Sequence, residues 1–96
     1  MVTRAQLMEK REAIMIVARR FGAHDLRLFG SVARGENTER SDVDILAFFE
    51  SGRTLLDHAG LIGELEDLLG AKVDVIDAEG MRPRFRAVVE KEALPL

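Results

Sequence analysis

Residues 28 to 49 read Leu-Phe-Gly-Ser-Val-Ala-Arg-Gly-Glu-Asn-Thr-Glu-Arg-Ser-Asp-Val-Asp-Ile-Leu-Ala-Phe-Phe, apolar at both ends and polar in the middle. The apolar start belongs to Asp25-Leu26-Arg27-Leu28-Phe29, a predicted first strand that stops at Gly30. Ser31 to Arg34 opens a short helix with Ser31 near its N-terminus, and Glu36 to Ser41 reads as a loop. Val43 to Phe49 is almost continuously apolar beyond Asp44, the pattern of a strand covered on both faces, so it is expected at the centre of its sheet. A strand thus runs into a turn and a helix start, and a loop brings the chain back as a second strand.

Working outward, Leu7, Ile14, Met15, Ala18 and Phe21 lie near one helical stripe. With Thr3 suited to the N-cap and Gly22 to the stop, one helix is predicted over residues 3 to 20. Thr54 suits the cap of a helix carrying Leu55, Leu56, Ala59, Leu61, Ile62, Leu65, Leu68 and Leu69, closed by Gly70. Gly60 and Gly63 within it cost about 1 kcal/mol each relative to alanine, which predicts close packing of its midpoint on the sheet. Lys72 to Ile76 alternates as a third strand, and Pro83 occupies the first turn of a last helix running through Phe85, Val88 and Val89 towards Glu92. Leu7, Ile14, Val88 and Val89 are expected in the core, and any part of those stripes left exposed would mark a protein interface. The order α-β-α-β-α-β-α predicts an α/β (α+β) fold, a small mixed sheet of about three strands flanked by helices.

Ninety-six residues suffice for one core, so residues 1–96 are expected to form a single domain, with the second substrate recognised elsewhere. Apolar residues at 47% and charged residues at 32% fit a folded, soluble chain. A net charge of -3 gives no broad electrostatic footprint for nucleic acid, so strong nucleic-acid binding is not expected. Without cysteine there is no disulfide, zinc-thiolate site or thiol nucleophile. No apolar run approaches the roughly 20 residues of a membrane span, and charges interrupt the N-terminus; a cytoplasmic location is expected.

The chemistry gathers on aspartates. Asp42 and Asp44 sit at i and i+2 where the second strand begins, so both point to one face. Two close carboxylates need a raised pKa, a basic partner or a metal, and oxygen-only ligation suits magnesium, which takes one or two carboxylates plus substrate phosphates. Asp74, between Val73 and Val75, joins them if strands two and three are neighbours. Gly30-Ser31, at a strand-to-helix turn, offers unpaired N–H groups to an anion, and Arg34 lies one turn on from Ser31, able to reach a phosphate oxygen. A triphosphate held there and bridged by magnesium to the acids resolves both charge problems at once. The Walker pattern Gly-x-x-x-x-Gly-Lys-Ser/Thr and the dinucleotide fingerprint Gly-x-Gly-x-x-Gly are absent.

Gly30-Ser31-Val32-Ala33-Arg34-Gly35 followed by Ser41-Asp42-Val43-Asp44-Ile45 resembles the signature of the minimal nucleotidyltransferases, a branch of the polymerase-β-like superfamily. The pattern stands without a substitution, and the element order and length match too. The resemblance implies that Gly30 and Ser31 bind the triphosphate, that Asp42 and Asp44 bind magnesium, and that Asp74 is the third acid of the catalytic and metal site. It also implies in-line attack of an acceptor hydroxyl on the α-phosphate of ATP. Family members of this size are often the antitoxin of a two-gene pair, and some transfer AMP to a tyrosine of an all-helical HEPN-type partner.

The alternative expectation is an antitoxin that neutralises its partner by stoichiometric binding without catalysis. Transfer to a small molecule would need an acceptor pocket built by a homo- or hetero-oligomer. His24 and His58 lack metal-ligand spacing and are expected to be exposed or satisfied in the core. Arg82, Arg84 and Arg86 cluster at the start of the last helix, where cations do not suit the helix dipole; a solvated face is the expected reading.

Overall fold

Strand β2, Val43–Phe49, lies between two neighbours, as its apolar run requires: Val43, Ile45, Leu46 and Ala47 are all buried. The coordinates are a computed structural model describing residues 2–96; Met1, the first residue of the expected 1–96 domain, lies outside the described residues. Strand β1, Ala23–Phe29, pairs with β2 antiparallel, and β3, Val73–Asp77, pairs with its other edge in parallel. The helix start expected at Ser31 is α3, Gly30–Arg34, closed by Gly35 in the left-handed conformation at φ 72°.

Parallel strands need a crossover, supplied by helix α4, Leu55–Leu69. Its start is a capping box: the Thr54 side chain accepts from the Leu56 N–H, and the Asp57 carboxylate accepts from the Thr54 N–H at 2.9 Å. Gly70 ends it at φ 64°, as the sequence predicts. The helix buries Leu61, Leu65 and Leu69 in one cluster with Leu26 and Leu28 of β1, Ile45 and Ala47 of β2, and Val75 of β3.

Several expectations are corrected. The helix predicted over residues 3 to 20 is two, α1 at Arg4–Glu9 and α2 at Arg11–Arg20, because Lys10 leaves helical geometry at ψ 10°. Leu7, Ile14 and Ala18 are buried as expected, together with Val17, whereas Ile16 and Met8 face outward. The sheet has four strands among the described residues, in the order β3-β2-β1-β4. The added strand β4, Leu94–Pro95, pairs Leu94 with Leu28 and Pro95 with Arg27 at the edge of β1, a position that tolerates proline. Gly60 packs on the Phe21 ring rather than on the sheet, and nothing lies where a Gly63 side chain would extend.

The last helix, α5 at Pro83–Glu92, was expected to contribute to the core, yet none of its residues is buried. It follows the 3-10 turn Ala78–Gly80 and carries the chain from β3 to β4, at the opposite edge of the sheet. On the way Arg86 lies over the Phe48 ring at 4.8 Å and pairs with Glu90 at 3.0 Å. Phe85 and Val88 face outward at 64% and 57% exposure. Helix α5 thus crosses the sheet face opposite α2 and α4, with Phe85 and Val88 of its apolar stripe left open.

Burial separates two leucines of α4 sharply: Leu65 is inaccessible and Leu55 is 85% exposed. Leu65→Ala should lower the free energy of unfolding by about 2–5 kcal/mol, and Leu55→Ala should stay within about 0.5 kcal/mol, as read from urea denaturation.

Candidate active site

The sheet register brings the acids together. Asp44 is the pairing partner of Phe29 on β1 and of Asp74 on β3, so the adjacency of strands two and three expected from sequence holds and both carboxylates share one row. Asp42, two residues before Asp44, projects from the same face. That face is the one crossed by α5, since Phe48 alternates in step with Asp44.

The three differ in environment. Asp42 and Asp74 are exposed, while Asp44 is half-buried. Burial pushes the Asp44 carboxyl above its ordinary value, the negative charges of Asp74 and then Asp42 push it further, and the Arg34 cation pulls it back. The guanidinium of Arg34 is itself engaged with carboxylates, donating to Glu36 at 3.1 Å and lying 3.9 Å from Glu92 of α5. Reaching a phosphate requires it to exchange these exposed partners.

Gly30 joins the turn to the acid row. Its φ of 75° is left-handed, and a Cβ placed there would run into the Asp44 carboxylate oxygen. The sequence predicted that glycine admits a ligand close to the backbone; the structure adds that it admits Asp44. The Ser31 carbonyl closes the turn by accepting from the Glu36 N–H at 2.9 Å. Phe29 is extended, so the chain passes directly from strand to helix and leaves the first N–H groups of α3 outside its ladder.

Among the described residues, no three His, Asp or Glu side chains meet closely enough to hold a metal ion unaided. Magnesium completes its shell with water and phosphate oxygens, so a partial set of two aspartates with mutual repulsion to relieve is chemically suited to a metal that arrives on a triphosphate.

Other candidates lie elsewhere. His24 is exposed and bonded to Asp25 at 2.7 Å, and the His58 ring nitrogen meets the Val75 carbonyl at 2.6 Å, in accord with the expected structural roles. Arg82 and Arg84 are solvated, while Arg86 packs on Phe48. Sequence reading passed over Arg40 and Lys72, which line a groove of about 400 Å3 together with Asp42. The period of two that selected Asp74 also selects Lys72, and the available signal was that parity.

Gly30→Ala and Gly52→Ala both force alanine into a left-handed conformation, but only position 30 faces a carboxylate, whereas position 52 opens to empty space. Gly30→Ala should therefore destabilise by about 1–3 kcal/mol more than Gly52→Ala in paired urea titrations.

Comparison with known proteins gives this geometry a context. Residues 10–96 match the family model described as a nucleotidyltransferase domain. The chain is 40% identical over 75 residues to protein adenylyltransferase MntA of Thermococcus cleftensis, covering 78% of this chain and 76% of that protein. A solved chain provisionally named a minimal nucleotidyltransferase is 50% identical with a TM-score of 0.90, covering 99% of this chain and 97% of that one. A more distant solved chain, from a toxin-antitoxin crystal structure with AMP-PNP, is 21% identical with a TM-score of 0.75, covering 88% and 69%. Another comes from a complex of a tri-AMPylated Shewanella oneidensis HEPN toxin with its MNT antitoxin, at 18% identity and a TM-score of 0.69, covering 92% and 69%. The last two share the fold. With the signature on β1, α3 and β2 and the acid row intact, the chain belongs to the nucleotidyltransferase domain family, in its minimal branch, and is a nucleotidyltransferase.

Proposed function

We propose that the chain transfers AMP from ATP to a hydroxyl of a protein acceptor, a tyrosine of a HEPN-type toxin, and acts as that toxin's antitoxin in the cytoplasm. The observation that carries this reading is the row Asp44–Asp74 with Asp42 on the same face, set against the Gly30–Ser31 turn. The name of the Thermococcus relative and the partners of the two distant structures support the acceptor class.

In this mechanism Gly30 and Ser31 hold the triphosphate through backbone N–H groups and the Ser31 hydroxyl, and Arg34 exchanges Glu36 for a phosphate oxygen. Asp42 and Asp44 would hold magnesium, which would supply Lewis-acid stabilisation of the charge that builds on the phosphate. Asp74 orients the acceptor hydroxyl and takes its proton. The acceptor oxygen forms a bond to the α-phosphorus as the bond to pyrophosphate breaks, and pyrophosphate departs on the Gly30 side.

A second reading, neutralisation by stoichiometric contact alone, rests on the open stripe of Phe85 and Val88 on α5.

The two readings separate when the protein is incubated with labelled ATP and magnesium, alone and with the product of the adjacent gene, in wild-type and Asp42→Asn forms. Covalent label on the partner that falls by at least about a hundredfold in the variant is the expected result. No label, with an equally tight complex from both forms, establishes the stoichiometric antitoxin instead.

A further inference from the structure

The face that carries the acids continues past Asp42 into the groove of about 400 Å3. One wall is the 38–42 loop, which is tied to itself: the Thr38 N–H donates to Ser41 Oγ at 2.9 Å, and the Ser41 N–H donates to the Thr38 carbonyl at 3.0 Å. The other wall is the turn from Gly70 to Lys72, joined to β2 by the Val43 N–H donating to the Lys72 carbonyl at 2.8 Å.

Lys72 precedes Val73 as Asp42 precedes Val43, and the two valines are paired. Strand alternation then sets Lys72 beside Asp42, on the face of Asp44 and Asp74. Arg40 stands across the groove, two residues before Asp42. Both cations are exposed, and among the described residues neither makes an ion pair. Arg40 and Lys72 thus stand beside Asp42 with no carboxylate bound to either.

Their side of the site is informative. Gly30 and Ser31 follow β1, on one flank of β2, and Lys72 precedes β3, on the other flank. Attacking and leaving oxygens are roughly in line through phosphorus. With pyrophosphate leaving at Gly30, the Lys72 side faces the incoming acceptor. Glu39 and Asp42 also line the groove, but Asp42 is committed to magnesium in that reading, so two cations stand against the single acid Glu39.

We infer that this groove binds an anionic group of the acceptor, a carboxylate or phosphate neighbouring the attacked hydroxyl, and that Lys72 and Arg40 are its ligands. The inference rests on the transferase reading above and adds a specificity determinant to it. Lys72 and Arg40 are positioning residues that select an acceptor hydroxyl with a negative flank.

The test uses the full chain with magnesium and a non-hydrolysable ATP analogue, followed by backbone amide NMR. The probes are O-phosphotyrosine and the blocked tripeptides Glu-Tyr-Glu, Gln-Tyr-Gln and Lys-Tyr-Lys. Saturable shifts centred on Arg40, Ser41, Ala71 and Lys72 are expected with the anionic probes and not with the neutral or cationic ones. The tighter binder of phosphotyrosine and Glu-Tyr-Glu identifies which anion the groove takes. Lys72→Glu should weaken the anionic probe by at least about tenfold, the loss of one charge-assisted hydrogen bond, and turn the preference towards Lys-Tyr-Lys. Arg40→Gln should weaken it in the same direction. A reversal of preference is not a result that a merely structural lysine produces. Anion affinity unchanged in both variants, or shifts confined to Gly30 and Ser31, would overturn the inference. Failure of the wild type to bind the nucleotide analogue would instead remove the reading on which it rests.

Discussion

The half-buried carboxylate of Asp44 faces the negative charges of Asp74 and Asp42, and the arrangement around it answers that repulsion. The parallel pairing of β2 with β3 sets Asp44 directly beside Asp74, and the period of two adds Asp42 to the same face. Of the three, Asp44 bears the consequence, since burial and both neighbours disfavour its charge. A carboxyl whose folded pKa lies above its unfolded value makes the folded state the better proton binder between those two values. Its ionisation therefore lowers stability as pH rises through that window, and the full cost stands at neutral pH. A cation placed beside Asp44 would offset that cost.

Other features keep that row in place and accessible. Gly30 lets the turn after β1 lie against the Asp44 carboxylate without a side chain between them, which links that turn to the acid row through one contact. The core on the other face, drawn from α2 and α4, leaves the acidic face to α5, which crosses it without burying a residue of its own. The Arg86 guanidinium over Phe48 anchors this helix near the far end of β2, and Glu92 approaches Arg34 at the near end. Helix α5 leaves Phe85 and Val88 exposed on this side of the molecule.

Where local rules and tertiary needs agree, the sequence was readable. The apolar run of β2, the capping residues Thr54 and Gly70, and the parity of Asp42, Asp44 and Asp74 all report local geometry that the fold preserves. The break at Lys10 was not readable, because lysine is a good helix former and its ψ of 10° reflects how α1 and α2 pack rather than propensity. Strand β4 escaped because two residues ending in proline carry no strand signal and are held by the edge of β1. Helix α5 was assigned to the core because amphipathic spacing names an apolar face without saying what covers it. Within the site, the motif pointed to the acids and the turn, while Lys72 and Arg40 belong to no motif and became visible once β2 and β3 were seen paired.

The most direct measurement is the titration of the Asp44 side-chain carboxyl by carbon-13 NMR, with and without magnesium and a non-hydrolysable ATP analogue. Asp44 should titrate above the ordinary aspartate value of about 3.9 in the free protein and fall on addition of the metal and nucleotide together. An ordinary Asp44 value in the free protein, or one unmoved by magnesium and nucleotide, would contradict the claim that this acid row is built for a metal-bound triphosphate.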